Sequence, residues 1–244
     1  MKKKISYSTE IPCFMADRHK LLRPVSFFDL AQQMAMVGGE YCGFGEEVLG
    51  KFGVVWVLAR MDVKFLKPVR RDDKITINTW HRGQQSIFFI RDYELLDESG
   101  ERAAVSTSSW ILMNFETRRA VRGDRLEGLN LGDPQNEERV TEEDARKVVV
   151  PRDAVLQKVD GHRVAYSDID VNQHVNNARY IAWAMDAIPE EVVNDRPVSE
   201  VSINFIKEAL PGEVVDLYHV EAEGAHYVEG KVADSVIFTT RFVF

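Results

Sequence analysis

Residues 167–177 read SDIDVNQHVNN and place an acid, an amide and an imidazole on alternate positions. If this segment is extended, the side chains of Asp170, Asn172 and His174 point to the same side. The apolar residues that follow recur at helical spacing, which predicts a helix over 177–188. The cluster then lies near the positively polarised start of a helix. Backbone N–H groups there, together with the amide, stabilise negative charge on a carbonyl oxygen.

The chemistry of this cluster allows two interpretations. The imidazole of His174 can donate or accept a proton, and Asp170 can orient a neighbouring group. The set is therefore a candidate site for polarising a carbonyl group and moving protons. Alternatively, Asp170 and Asn172 only shape the turn before the helix, and His174 is an exposed loop residue.

The pattern of the first half of the chain resembles that of the second. Apolar residues predict a helix over about 25–37, which Gly38 and Gly39 weaken or end, and strand-like alternation follows. Residues 65–68 (FLKP) and 205–208 (FIKE) each end the first strand after a helix. Each half therefore reads as a strand, a long helix and a meander of antiparallel strands. This pattern predicts an α+β fold with an internal duplication.

Between the halves, residues 117–148 are rich in charged residues and glycine and show little periodicity, which is typical of a linker. The short run at 164–167 then predicts the strand that precedes the second helix.

Composition and charge argue against several classes of protein. The 244 residues carry a net charge of −8, whereas a nucleic-acid-binding protein needs a basic face. Cys13 and Cys42 have no CxxC spacing, so we expect neither a disulfide framework nor a zinc site. Free thiols are typical of cytoplasmic proteins, so we expect a cytoplasmic location. The chain lacks a metal or nucleotide motif and an apolar run of membrane-spanning length. We therefore expect no metal, no cofactor, no membrane span and no signal peptide.

Residues 167–177, together with Tyr180, Ile181, Trp183 and the segment 205–208, resemble the signature of the acyl-acyl-carrier-protein thioesterase family. The resemblance implies the double-hotdog fold of that family, in which each half wraps an antiparallel sheet around a central helix. It also implies hydrolysis of fatty acyl-acyl carrier protein to a free fatty acid without a cofactor.

The same resemblance assigns the active-site residues. Asp170, Asn172 and His174 match the family's motif, and Glu208 matches a glutamate about 34 residues after the histidine. In the first half, Pro68 stands where Glu208 stands in the second. We therefore predict one active site per chain, in the second half.

The resemblance also divides the chain by function. Residues 1–116 form an N-terminal hotdog repeat that binds the acyl chain, residues 117–148 form a linker, and residues 149–244 form a C-terminal repeat with the catalytic residues. The side chains expected to contact the acyl chain are Phe27, Leu30, Met34, Trp56, Leu58 and Phe89. For any one of them, an ordinary role in the hydrophobic core is the alternative.

The expected partner is acyl carrier protein with its acyl-phosphopantetheine group. Because that protein is strongly acidic, local basic clusters in this acidic chain are candidate docking sites. The candidates are Arg70, Arg71, Arg118, Arg119 and Arg122. Solvated loop charges are the alternative interpretation. The expected oligomeric state is a monomer or a homodimer.

Three alternative functions belong to the same fold. The first is hydrolysis of acyl-CoA, although the sequence has no diagnostic motif for the nucleotide 3′-phosphate of CoA. The second is a non-catalytic hotdog protein that binds acyl ligands as a sensor, and the third is a hotdog dehydratase. The combination of Asp170, Asn172, His174 and Glu208 favours a hydrolase over the last two.

One position separates two hydrolytic mechanisms. Many plant members of the family carry a cysteine directly after the glutamate, whereas this chain has Ala209. We therefore predict that water activated by Glu208, and not a thiolate, attacks the thioester. The variants Cys13→Ser and Cys42→Ser should each leave the rate of thiol release nearly unchanged. If either cysteine variant lost hydrolysis while remaining folded, this result would contradict the water mechanism.

Overall fold

The computed structural model describes residues 3–244 and shows the same order of elements twice. Helices and strands form where apolar side chains recur at helical or alternating spacing. The elements of the first half are β1 (Ile5–Glu10), α1 (Pro24–Tyr41), α2 (Glu46–Gly50), β2 (Val54–Phe65), β3 (Lys74–Gln85), β4 (Phe88–Leu96), β5 (Arg102–Asn114) and the short β6 (Ala120–Val121). Those of the second half are β7 (Gln157–Arg163), α3 (Asn177–Asp186), α4 (Glu190–Asp195), β8 (Glu200–Phe205), β9 (Val214–Ala222), β10 (Ala225–Val232) and β11 (Ser235–Val243).

Strand pairing also repeats. The order is β1-β3-β4-β5-β2 in the first half and β7-β9-β10-β11-β8 in the second, and neighbours within each order pair antiparallel. One compact unit comprises the chain up to Leu22 together with Leu30–Ala145. The other comprises Arg23–Asp29 and Arg146–Phe244. The predicted α+β double hotdog is confirmed.

Helix α3 begins where the sequence predicts it. The Oδ1 atom of Asn176 accepts the N–H of Ala178 at 2.8 Å and caps the first turn. Farther along the helix, the ring of Tyr180 contacts Phe205 of β8 and Phe238 of β11, with centroid distances of 5.9 and 5.3 Å. Aromatic packing therefore holds α3 on the strands of its own unit.

Gly38 and Gly39 were predicted to weaken or end the first helix, and they do not end it, because α1 continues to Tyr41. A Cβ atom at Gly38 would collide with the guanidinium group of Arg91 in β4. The glycine therefore permits the Arg91 side chain to pack closely against the backbone of α1. Neither α1 nor any other helix in residues 3–244 is both long and apolar enough to cross a membrane.

The strand predicted at 164–167 is also wrong. Strand β7 ends earlier, at Arg163, and a 3-10 turn covers Tyr166–Asp168. The Asp168 carboxylate accepts the N–H of Ala165 at 2.8 Å. This side-chain hydrogen bond stabilises a turn where the short run alone suggests a strand.

Residues 117–148 contain little regular structure but several buried side chains. Leu126 and Leu131 belong to an apolar cluster of the first unit that also contains Phe89. Val148 lies in an apolar cluster of the second unit. Widely spaced apolar residues therefore anchor this segment, and the boundaries of the three predicted segments stay predictions.

Candidate active site

Asp170 closes the turn that carries the predicted site, residues 170–174, which we call the motif turn. Its Oδ1 atom accepts the backbone N–H of Asn172 at 2.8 Å and that of His174 at 3.4 Å. Its own N–H donates to the carbonyl oxygen of His174 at 2.8 Å. Gln173 adopts a left-handed conformation with φ of 64°. The carboxylate therefore offsets the strain of a turn that a non-glycine residue rarely adopts.

The motif turn is fixed to α3 on one side and to the preceding 3-10 turn on the other. The N–H of Asn176, the capping residue of α3, donates to the carbonyl oxygen of Asp168 at 2.8 Å. The buried Asp168 carboxylate lies 2.9 Å from Nε2 of His162, and the His162 ring stacks on Trp183 of α3 at 4.4 Å. These contacts leave the motif turn little freedom to move relative to the helix.

Two of the predicted site residues meet directly. The Nε2 atom of His174 lies 3.1 Å from Oε1 of Glu208, which follows β8. Their side chains are 51% and 22% exposed, so solvent and a substrate can reach the pair. An imidazole and a carboxylate in hydrogen-bond contact can together hold a water molecule and remove a proton from it.

The other two predicted residues have different positions. Asn172 is exposed and precedes His174 by two residues, and its backbone N–H donates to Asp170 within the motif turn. The Asp170 carboxylate contacts backbone N–H groups of the motif turn. Asp170 thus orients the backbone that carries Asn172 and His174.

A second turn with the same hydrogen bonds lies before α1, at residues 17–21, which we call the first-half turn. Oδ1 of Asp17 accepts the N–H groups of His19 (2.8 Å) and Leu21 (2.9 Å). The Asp17 N–H donates to the Leu21 carbonyl at 2.8 Å, and Lys20 has a φ of 63°. His19 and Leu21 thus occupy the positions of Asn172 and His174. This turn was not predicted from the sequence, although the aspartate at its start, Asp17, is a residue that forms such turns.

The predicted equivalence of Pro68 and Glu208 is confirmed by the backbone around them. The residue before each donates its N–H to a strand of the same half, to the carbonyl of Ala103 in β5 at 3.3 Å and of Ile237 in β11 at 3.0 Å. The second residue after each donates to a carboxylate three residues farther on. Within residues 3–244, these equivalent positions hold a histidine and a glutamate in the second half and not in the first.

The predicted acyl-chain contacts are mostly buried. They are Phe27, Met34, Leu58 and Phe89, which are buried, and Leu30 and Trp56, which are partly exposed. The Trp56 and Phe89 rings meet edge to face at 4.9 Å. Phe27 belongs to the second compact unit and the other five residues to the first. Their role in acyl binding stays a prediction.

The first unit contains a buried cation that was not predicted from the sequence. Arg91 is 5% exposed, lies against Gly38 of α1 and donates from Nη1 to Oγ1 of Thr79 at 3.3 Å. Burial and, to a lesser extent, the charge of Arg91 lower the pKa of His81 to about 4. The signal was the alternation of β4, which puts Arg91 on the same face as the buried Phe89.

The predicted docking residues form two exposed clusters. In the first, Arg70 and Arg71 lie beside the first-half turn, because the N–H of Arg71 donates to the Lys20 carbonyl at 2.8 Å. Arg71 also forms an ion pair with Asp72 at 3.0 Å. The second cluster contains Arg118, Arg119 and Arg122 near β6. Both clusters are accessible to a partner, and their role stays a prediction.

Family models match both halves of the chain. The model described as the acyl-ACP thioesterase N-terminal domain matches residues 2–124, and the model of the C-terminal domain matches residues 154–236. The chain therefore belongs to the acyl-ACP thioesterase family. Within residues 3–244, no group of three or more His, Cys, Asp or Glu side chains is arranged to hold a metal ion.

Plant proteins and solved structures resemble this chain. It is 29% identical over 201 residues to oleoyl-acyl carrier protein thioesterase 2, chloroplastic, of Arabidopsis thaliana, with 77% of this chain and 55% of that protein covered. It is 31% identical over 178 residues to palmitoyl-acyl carrier protein thioesterase, chloroplastic, of Gossypium hirsutum, with 70% and 42% covered. The chain thus spans about half the length of the curated relatives it matches.

Two solved structures support the fold. The acyl-ACP thioesterase from Bacteroides thetaiotaomicron superposes with a TM-score of 0.88 at 24% identity, covering 99% of this chain and 97% of that one. The 12:0-ACP thioesterase from Umbellularia californica superposes with a TM-score of 0.86 at 20% identity, covering 98% and 96%.

The repeated turn leads to a prediction about stability. Asp17→Ala and Asp170→Ala should each lower the free energy of unfolding by about 1 kcal/mol, because each removes the acceptor of two backbone N–H groups. The matched variants Asp17→Asn and Asp170→Asn keep an acceptor oxygen and should lose less. Urea denaturation of the four variants measures the difference. Stability that is unchanged in both alanine variants would contradict a turn-forming role.

Proposed function

We propose that the protein hydrolyses the thioester of fatty acyl-acyl carrier protein and releases a free fatty acid and holo-acyl carrier protein. The observation that carries this proposal is the 3.1 Å contact between Nε2 of His174 and Oε1 of Glu208, next to the motif turn. Hydrolysis of a thioester needs an activated water molecule and stabilisation of the developing oxyanion, and the site offers groups for both.

Each residue has a role in this mechanism. Glu208 removes a proton from a water molecule while the oxygen of that water attacks the thioester carbonyl carbon. His174 holds the water or the thioester. The Asn172 amide donates to the carbonyl oxygen as it becomes negative. The carbon–sulfur bond then breaks, and the leaving thiolate takes up the proton that Glu208 removed from water, which gives the free thiol and restores the Glu208 carboxylate. Asp170 contributes by shaping the motif turn.

The family relationship supports the substrate class. The plant relatives are named oleoyl- and palmitoyl-acyl carrier protein thioesterases, and we transfer the substrate class, long-chain acyl groups on acyl carrier protein, to this chain as part of the proposal. We further propose that the apolar side chains predicted in the first half bind the acyl chain, and that the reaction serves fatty acid biosynthesis in the cytoplasm. Two free cysteines, Cys13 and Cys42, are consistent with that compartment.

A single substitution tests the chemistry. Glu208→Gln keeps the shape of the side chain but removes its ability to accept a proton, so kcat should fall by about 10²- to 10⁴-fold. The control is Glu191→Gln, an exposed glutamate of α4, which should retain the wild-type rate. Release of free thiol is measured with a panel of acyl-acyl carrier protein and acyl-CoA substrates.

The same panel separates the alternatives. Release from CoA thioesters alone would make the protein an acyl-CoA thioesterase. Binding of acyl ligands without release from either carrier would support the non-catalytic sensor. Full activity of Glu208→Gln would contradict the assignment of the base.

Charge reversal tests the docking clusters. The double variant Arg70→Glu/Arg71→Glu, or Arg118→Glu/Arg119→Glu, should raise KM for acyl-acyl carrier protein about tenfold at low salt, because it repels an acidic partner. Short thioester mimics should react at the wild-type rate. The control is Arg152→Glu, at an exposed position outside both clusters. Equal effects on carrier-protein substrates and on mimics would discard the docking role.

A further inference from the structure

Three hydrogen bonds hold the backbone around Glu208. The residue before it donates its N–H to the carbonyl of Ile237, and the second residue after it donates to Oε2 of Glu213, at 3.0 and 2.7 Å. Between these two bonds, the N–H of Ala209 donates to the hydroxyl oxygen of Tyr180 on α3 at 3.2 Å. The peptide group that joins Glu208 to Ala209 is thus tied to a helix.

The first half retains the two outer bonds. Around Pro68, the N–H of Lys67 donates to the carbonyl of Ala103 at 3.3 Å, and the N–H of Arg70 donates to Oδ2 of Asp73 at 2.7 Å. The two outer bonds therefore belong to the shared backbone of both halves. They do not distinguish the half that carries the site.

The hydrogen bond from the Ala209 N–H to Tyr180 does distinguish the two halves. The equivalent turns align Asp17 with Asp170, and the same register aligns Phe27 of α1 with Tyr180 of α3. Phenylalanine has no hydroxyl group and cannot accept a hydrogen bond in this way. The hydroxyl group therefore occurs in the second half, where Glu208 follows β8.

Packing holds the Tyr180 hydroxyl in one place. Its ring contacts Trp183, Phe205 and Phe238, with centroid distances of 5.1, 5.9 and 5.3 Å, and the residue is 4% exposed. Burial raises the pKa of Tyr180 to about 12, and the nearby charge of Glu208 adds to this effect. The hydroxyl group therefore stays neutral near pH 7, and its oxygen accepts the hydrogen bond from the Ala209 N–H.

Helix α3 thus connects the two segments that form the histidine–glutamate contact. Its capping residue, Asn176, lies two residues after the motif turn, and Tyr180 accepts a hydrogen bond from the backbone beside Glu208. We propose that Tyr180 is a positioning residue that holds the Glu208 carboxylate against His174 through the N–H of Ala209. This inference rests on the proposed role of Glu208 as the general base.

The first test is Tyr180→Phe, which keeps the aromatic packing and removes the hydroxyl group. A misplaced base slows the chemical step more than it weakens substrate binding, so kcat should fall about 10- to 100-fold with KM nearly unchanged. The control is Tyr227→Phe at a buried tyrosine of the second unit, which should keep the wild-type kcat. Circular dichroism and thermal unfolding establish that both variants are folded.

A second variant removes the same bond from the other side. Incorporating lactic acid in place of Ala209 turns the amide into an ester, which has no N–H and leaves Tyr180 intact. It should reproduce the kcat loss of Tyr180→Phe, and it keeps the test decisive if that variant does not fold.

A double-mutant cycle shows whether Tyr180 acts through Glu208. In the Glu208→Gln background, Tyr180→Phe should cause no further loss of kcat, whereas a general structural defect would add to the loss. A wild-type kcat in the folded Tyr180→Phe and ester variants, with Glu208→Gln inactive, overturns the positioning role and leaves the proposed function standing. An active Glu208→Gln variant overturns both.

Discussion

The arrangement of both halves depends on a carboxylate that accepts two backbone N–H groups in the turn before a long helix. Asp17 and Asp170 each make this contact, and each turn contains a non-glycine residue with positive φ, Lys20 or Gln173. Such a conformation is unfavourable, so the turn persists because the hydrogen bonds over-determine it. Each long helix therefore begins a few residues after a turn whose backbone conformation is fixed by these hydrogen bonds.

The two halves share this backbone and differ in the groups attached to it. Leu21 and Pro68 occupy the positions of His174 and Glu208. The turn survives such replacements because its hydrogen bonds use backbone donors and the aspartate at its start, which do not depend on the other side chains. A duplicated frame can therefore carry a site in one half and none of that site's reacting groups in the other.

The interior of the first unit contains a charged residue, Arg91, whose burial the sequence pattern does not predict. The alternation of β4 predicts a strand correctly, but a charged residue in such a strand is ordinarily placed toward solvent. Pairing with β3 and β5 instead sets Arg91 against α1, where Gly38 leaves room for its guanidinium group. The glycine that reads as a helix end is thus explained by a neighbour far away in the chain.

Local spacing was sufficient to predict the long helices, the strand meanders and the duplication, because periodicity is a property of neighbouring residues. The four candidate site residues were predicted from a short motif and its resemblance to a known family. Local spacing could not show that Nε2 of His174 meets Oε1 of Glu208, since strand pairing and helix packing bring these atoms together across the intervening chain. Nor could it show the bond between the Ala209 amide and the Tyr180 hydroxyl. A tyrosine on the apolar face of a helix reads as core, and its hydroxyl acquires a partner only when the strand end is placed beside it. Hydrogen bonds between distant segments depend on the packed arrangement of the whole unit, and the tertiary structure alone decides them.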